Sequence, residues 1–300
     1  MFFYLEWIDK RPNKICIVDK RPNNINIEYK FKIKKEEHVL CGNINEELYN
    51  YYPPVKLAYK KNQYLSSHLQ KCIRRMDSYR SVKTAKHFLD LDIQSFLRRL
   101  PIIMLEDVTI HESFKCIIWL MISVSKGFLL KHEMVKWLLG VVYYLSCEKK
   151  KTFYNNKDIE EISIEKDIQE IDILQCLRIR KAYGGMKGDM NMIEYYVHLI
   201  YHDKETVLCD KIPRIQLTMD NLEKNEWLYE ANDFHCNRYV LDQVKDYFPE
   251  MRKEEIKELI WIFSSSLNHR VVVVKCEKMR QKWEKIEKVV RRVQKNCKYY

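Results

Sequence analysis

Residues 57–75 read Leu57-Ala58-Tyr59-Lys60-Lys61-Asn62-Gln63-Tyr64-Leu65-Ser66-Ser67-His68-Leu69-Gln70-Lys71-Cys72-Ile73-Arg74-Arg75. Leu65, Leu69, Cys72, Ile73 and Met76 recur at i, i+4, i+7, i+8 and i+11, the spacing of one apolar stripe along a helix. Lys71, Arg74 and Arg75 fall at i, i+3 and i+4 on another face. The pattern predicts a helix that buries one side and presents cations on the other. The same period continues through Phe96-Leu97-Arg98-Arg99-Leu100 to Val141-Val142-Tyr143-Tyr144-Leu145-Ser146-Cys147. It gives helix candidates at 62–76, 79–91, 93–106, 112–125 and 131–147, with Asp92 as a cap and Gly127 as a break. The fold class that follows is mainly α.

Before this block, residues 2–8, 15–18 and 25–33 are β-rich. They are separated by a repeated pentapeptide, Asp9-Lys10-Arg11-Pro12-Asn13 and Asp19-Lys20-Arg21-Pro22-Asn23, whose Pro and Asn suit turns. Ile25, Ile27, Tyr29, Phe31 and Ile33 alternate with polar residues, as in a half-buried strand. The expectation is a small antiparallel meander over residues 1–54, packed on the helices that follow. Lys10, Arg11, Lys20 and Arg21, at the turns, are a possible phosphate contact. Tyr51-Tyr52-Pro53-Pro54 cannot propagate a helix and marks a boundary. The helical domain is placed at 55–150 and a second helical region at 151–300. Within the latter, 158–172 is acidic, while 173–183, 189–202, 227–248 and 253–263 read as helices. Residues 271–274 are β-like, and 275–298 form a long amphipathic helix with Met279, Trp283, Ile286, Val290 and Val293 on one side.

The 300 residues carry a net charge of +11. Residues 56–99 and 270–300 each hold 11 Lys or Arg against 3 acids, and the remainder is net acidic. Two basic stretches in a balanced chain favour a polyanionic partner, nucleic acid, over an anionic membrane. With 6 Gly and 7 Pro, the chain is not loop-rich. None of its 10 cysteines forms a C-x-x-C pair, and several sit in apolar stripes, so they read as reduced residues of an intracellular protein, nuclear or cytoplasmic. Met1 to Asp9 makes a poor signal peptide, and the apolar run 116–124 is too short to span a bilayer.

Motifs for catalysis are weak. Gly184-Gly185-Met186-Lys187-Gly188-Asp189 lacks the spacing and the Lys-Ser or Lys-Thr of a phosphate-binding loop. Its expected role is to end one helix and begin another, with Lys187 and the exposed amides able to meet a phosphate. Glu106 and Asp107 are neighbours, so they diverge rather than converge on a reacting group. Asp233-Phe234-His235-Cys236 has no second ligand pair at zinc spacing. Ser264-Ser265-Ser266-Leu267-Asn268-His269-Arg270 is a helix end, read either as a cap and turn or as a polar loop that brings Arg270 to phosphate. No cofactor, metal or catalytic residue is assigned, and no nucleotide hydrolysis is expected.

Leu69-Gln70-Lys71-Cys72-Ile73-Arg74, Arg98-Arg99-Leu100, Ile103-Met104-Leu105-Glu106-Asp107-Val108 and Val142-Tyr143-Tyr144-Leu145-Ser146-Cys147 occur in the order of motifs in one family, at similar spacing. The stretch resembles the C-terminal, clamp-loader-like helical region of the RarA/MgsA proteins, the Werner-helicase-interacting AAA+ ATPases. It covers about a third of the chain, and the ATPase core of that family is missing. Pro101 interrupts the third helix, and Thr109 stands where the family has glycine. The resemblance implies a helical oligomerisation region, a homodimer or tetramer, and a setting in DNA replication, repair or recombination with proteins of those pathways as partners. The resulting expectation is a non-catalytic accessory or scaffold that binds DNA rather than RNA. Its phosphate contacts would be Lys71, Arg74, Arg75, Arg98, Arg99, Lys187, Arg270, Lys288, Arg291 and Arg292. The alternative is a structural or packaging protein, viral included, that binds nucleic acid without regard to sequence.

Overall fold

The computed structural model describes residues 1–49, 61–153, 172–202, 207–215, 222–233, 235–271 and 276–297. The connector at 51–54, all but the last residue of the acidic stretch 158–172, residues 272–274 of the β-like run, and Phe234 lie outside the described residues. The chain divides into two compact units. One holds Met1–Pro53, Asp92–Leu145 and Lys150–Leu217, and the other Pro54–Leu91, Ser146–Lys149 and Thr218–Tyr300. The stretch 55–150, expected as one helical domain, is therefore shared between them.

The first unit begins with a four-stranded sheet of order β2-β1-β4-β3, made by β1 (Phe2–Ile8), β2 (Arg11–Val18), β3 (Ile27–Ile33) and β4 (Glu36–Ile44). It is mixed rather than antiparallel, because β4 runs parallel to β1 with Phe2 opposite Val39 and Trp7 opposite Ile44. The two copies of the pentapeptide have different fates. In the first, Asp9 and Lys10 alone make the turn, at φ 50° and 64°, and β2 resumes at Arg11. Two left-handed residues match the twist of a tight hairpin. The second copy starts a connection between strands at opposite ends of the sheet, so no hairpin closes there. The turn that joins β3 to β4 is Lys34-Lys35, with Lys34 at φ 56°. It contains neither Gly nor Pro, so β4 has no turn signal in the sequence.

The sheet is covered by α4 (Ser113–Ser125), which is buried along most of its length. A helix apolar on all sides belongs in a core. Trp119 on α4 donates its indole N–H to the carbonyls of Phe3 at 3.2 Å and Cys41 at 3.0 Å. Gly42 makes that approach possible: a Cβ there would lie 2.9 Å from the Leu5 carbonyl oxygen and 3.2 Å from the Trp119 ring. Around this core stand α3 (Ile93–Asp107), α5 (His132–Cys147), α6 (Asp172–Ala182) and α7 (Lys187–Tyr201). Asp92 caps α3 by accepting from the Ser95 amide at 2.9 Å. Pro101 does not interrupt α3, contrary to the sequence reading; the helix runs through it to Asp107. The C-terminal carbonyls of α3 find donors elsewhere: Leu105 takes the Tyr196 hydroxyl at 2.9 Å, Glu106 the Lys151 ammonium, and Val108 the Thr152 amide at 2.8 Å. Gly184, at φ 74°, ends α6 as expected. The apolar residues of 114–145 are largely buried inside this unit.

In the second unit, α1 (Asn62–Arg74) and α2 (Ser78–Leu91) pair. The stretch 227–248, expected as a helix, contains a 3-10 turn at Tyr229–Asn232 and only then α8 (Arg238–Tyr247). Next come α9 (Lys253–Ile260), a π-helical turn at Trp261–Ser265, and α10 (Glu277–Asn296). Val240 and Val244, Ile256 and Leu259, and Trp283, Ile286, Val290 and Val293 form one apolar cluster. Phe263 stacks on Trp283 with ring centroids 5.5 Å apart.

Candidate nucleic-acid interface

The ten cations expected at phosphate fall into three groups. In the first, Lys71, Arg74, Arg75 and Arg270 are withdrawn from solvent and used inside the second unit. Lys71 is 4 % exposed and Arg74 9 % exposed. Arg74 donates to the Ser265 carbonyl at 3.0 Å, and Arg75 to the Ser264 carbonyl at 2.9 Å. Arg75 also lies 3.5 Å from the Glu230 carboxylate. Arg270 donates to the carbonyls of Ile73 at 2.8 Å and Glu148 at 2.7 Å. With the His269 amide on the Arg74 carbonyl, it closes the C-terminus of α1. Their expected role as a projecting face of α1 is therefore corrected. That face is cationic, yet it is buried like the apolar stripe, because carbonyls of the π-helical turn supply acceptors for its guanidinium groups.

Around them lies a buried polar network. The Lys71 ammonium reaches the Ser67 hydroxyl at 3.3 Å. Burial, helped by the neighbouring Arg74 and Arg75, lowers its pKa to about 8. Asp233 faces it and is raised by burial, although it accepts from the Asn237 amide and from Gln294 Nε2 at 3.2 Å. For both groups, loss of water outweighs their attraction. His68 stacks on Trp227 at 4.1 Å. Its Nε2 accepts from the Leu228 amide at 3.0 Å, so its proton is on Nδ1 and is donated to Thr84 Oγ1 at 2.8 Å. The network locks a neutral imidazole. Among the described residues, no three His, Cys, Asp or Glu side chains are grouped to hold a metal ion.

The second group belongs to the first unit. Arg98 is exposed and donates to the Tyr183 carbonyl at 3.1 Å, beside Arg180, which donates to the Gly184 carbonyl at 2.8 Å. Arg99 is half-buried, 3.7 Å from both Glu106 and Asp189. These arginines hold the link between α6 and α7 and the start of α7. Lys187 alone in this group is exposed and, among the described residues, has no side-chain hydrogen bond or ion pair.

The third group is on α10. Its apolar stripe settles how the helix sits: Trp283, Ile286, Val290 and Val293 are each worth about 1.5–3 kcal/mol when buried. The other side is then forced outward. Arg280 sits near Glu277 and Glu284, Lys282 pairs with Glu255, and Arg291 pairs with Glu287 at 2.7 Å. Lys278, Lys285 and Lys288 are exposed and, among the described residues, have neither a carboxylate nor a hydrogen-bond partner for their side chains. Arg292 lies over the Tyr247 ring at 4.8 Å and Lys295 over Tyr229 at 5.6 Å. At 1.5 Å per residue, residues 278 to 295 span about 25 Å of helix. The spacing 278, 285, 288, 292, 295 keeps all five on one face. Sequence reading found Lys288, Arg291 and Arg292 but missed Lys278, Lys285 and Lys295, although the heptad spacing was legible.

Comparison of the chain with protein-family models, with curated proteins and with solved structures returns no match.

Proposed function

We propose that this chain is a non-catalytic accessory protein that binds nucleic acid through the outer face of α10. The observation that carries the reading is the set of three exposed, unpaired lysines, Lys278, Lys285 and Lys288, aligned with Arg292 and Lys295. Unpaired cations keep their full attraction for phosphate, whereas Arg280, Lys282 and Arg291 are partly neutralised by their carboxylates. Tyr247 and Tyr229, beneath two of the cations, offer rings on which bases stack. The residues shared in order with the RarA-like proteins support a DNA replication, repair or recombination setting. The test is fluorescence anisotropy with labelled duplex and single-stranded oligonucleotides across a salt series. Replacing Lys278, Lys285 and Lys288 together by Gln removes up to three contacts. The slope of log affinity on log salt is then expected to fall by as much as about 2.7 for duplex or 2.1 for single strands. An unchanged slope with unchanged affinity removes α10 from the interface and overturns the proposal.

A further inference from the structure

The first unit contains a cleft of about 800 Å³ that takes no part in the reading above. One wall is the hairpin turn with Lys10, Arg11 and Lys14; another is the start of α4; a third is the extended segment 209–214, and Trp137 of α5 also lines it. The segment is strapped in place. Leu208 exchanges backbone hydrogen bonds with Ile110 at 3.1 Å and Glu112 at 2.7 Å, and Tyr144 donates to the Asp210 carboxylate at 2.8 Å. His111 accepts from the Ser113 amide at Nδ1, 3.0 Å away, and donates from Nε2 to the Asp210 carbonyl, also at 3.0 Å.

The charges around the cleft do not cancel. Glu112 is paired with Lys115 at 2.6 Å. Glu133 is paired with Lys136 at 2.8 Å and Arg214 at 3.1 Å. Asp210 accepts from the Tyr144 hydroxyl, which is neutral and leaves its charge in place. Lys10, Arg11, Lys14 and Lys211 remain, all exposed and with no side-chain hydrogen bond or ion pair among the described residues, against the carboxylates of Asp9 and Asp210. Lys10 sits in the tight turn of the β1–β2 hairpin at φ 64°, so its backbone is placed by strand pairing rather than by a free loop. Four unpaired cations from two separate segments surround a concavity of the size that takes small ligands. A monoanion would leave part of that field uncompensated; a polyphosphate or a run of phosphodiesters would not.

We infer that this cleft binds a multiply charged phosphate ester, through Lys10, Arg11, Lys14 and Lys211. The chemistry has two sources, a free nucleoside triphosphate or the backbone of a single-stranded nucleic acid. The inference is independent of the α10 reading, since it uses other residues in the other unit. The experiment uses the full chain, with inorganic tripolyphosphate and ATP by calorimetry and a labelled single-stranded oligonucleotide by anisotropy. The variant is Lys10→Asn, Lys14→Gln and Lys211→Gln together; Asn is chosen because it tolerates the left-handed backbone at position 10. All three side chains are exposed, and circular dichroism checks the fold. At least one probe is expected to bind the parent chain at submillimolar concentration and to weaken tenfold or more in the variant. Probe binding that also survives replacement of Lys278, Lys285 and Lys288 identifies the cleft rather than α10. Loss of ATP and tripolyphosphate binding points to a free nucleotide; loss of oligonucleotide binding alone points to a strand. No binding of any probe below millimolar, or binding unchanged in the variant, overturns the inference.

Discussion

Lys71 is a cation expected at phosphate that the fold has placed out of water, and its charge should be readable in the stability of the protein. Its pKa is lowered from 10.5 to about 8, first by burial and then by Arg74 and Arg75. Below pH 8 both the folded and the unfolded chain hold the proton, and the folded state bears the whole penalty of the buried charge. Between pH 8 and 10.5 the folded chain releases the proton first, so the unfolded state binds more protons and stability rises with pH. At about 1.4 kcal/mol per tenfold, the displacement is worth about 3 kcal/mol. Lys71→Met keeps much of the shape and removes the charge. It also leaves the buried Asp233 without the ammonium that faces it, so the quantity read is how the difference between parent and variant changes with pH, not its sign at pH 7. The assay is urea unfolding of parent and variant from pH 7 to 10.5, because the difference between them removes the titration of every group that does not feel Lys71. The stability of the parent relative to the variant should climb by about 2–3 kcal/mol between pH 8 and 10.5. A difference independent of pH would mean that water reaches the ammonium, and would refute the burial argument.

Arg270→Ala should destabilise the second unit by about 2–4 kcal/mol, because the carbonyls of Ile73 and Glu148 lose a charged donor. It should leave the salt slope of oligonucleotide binding unchanged; denaturant titration and anisotropy on the same variant check both. Gly140→Ala puts a Cβ at 2.1 Å from the Pro213 carbonyl oxygen, closer than atoms can approach, so the segment 209–214 must move away from α5. Faster hydrogen exchange at Leu208, with the rest of the first unit unaffected, is the expected result.

The periodicity of residues 62–147 was enough to place five helices within two residues of where they lie, because long amphipathic runs with Asp92 and Gly127 as punctuation are local signals. The apolar side of α10 was legible for the same reason, and so was its cationic side. Strand β4 was not. Its turn is Lys34-Lys35, and its pairing with β1 is parallel, so nothing near it in the chain announces it. The identical pentapeptides at 9–13 and 19–23 could not tell the sequence reader which one closes a hairpin, since that depends on where the next strand pairs.

The sequence determined by itself that the chain is mainly helical, begins with strands, and concentrates positive charge in two stretches. Only the tertiary structure decided which of those charges meet solvent. On α1, Lys71 and Arg74 lie on a face as polar as any on α10, yet that face is covered by the π-helical turn and its carbonyls, and the charges are absorbed as internal donors. On α10 none of the described residues covers Lys278, Lys285 and Lys288. Helical spacing fixes which residues share a face; whether that face is a surface depends on what the rest of the chain brings against it, and that information is long-range.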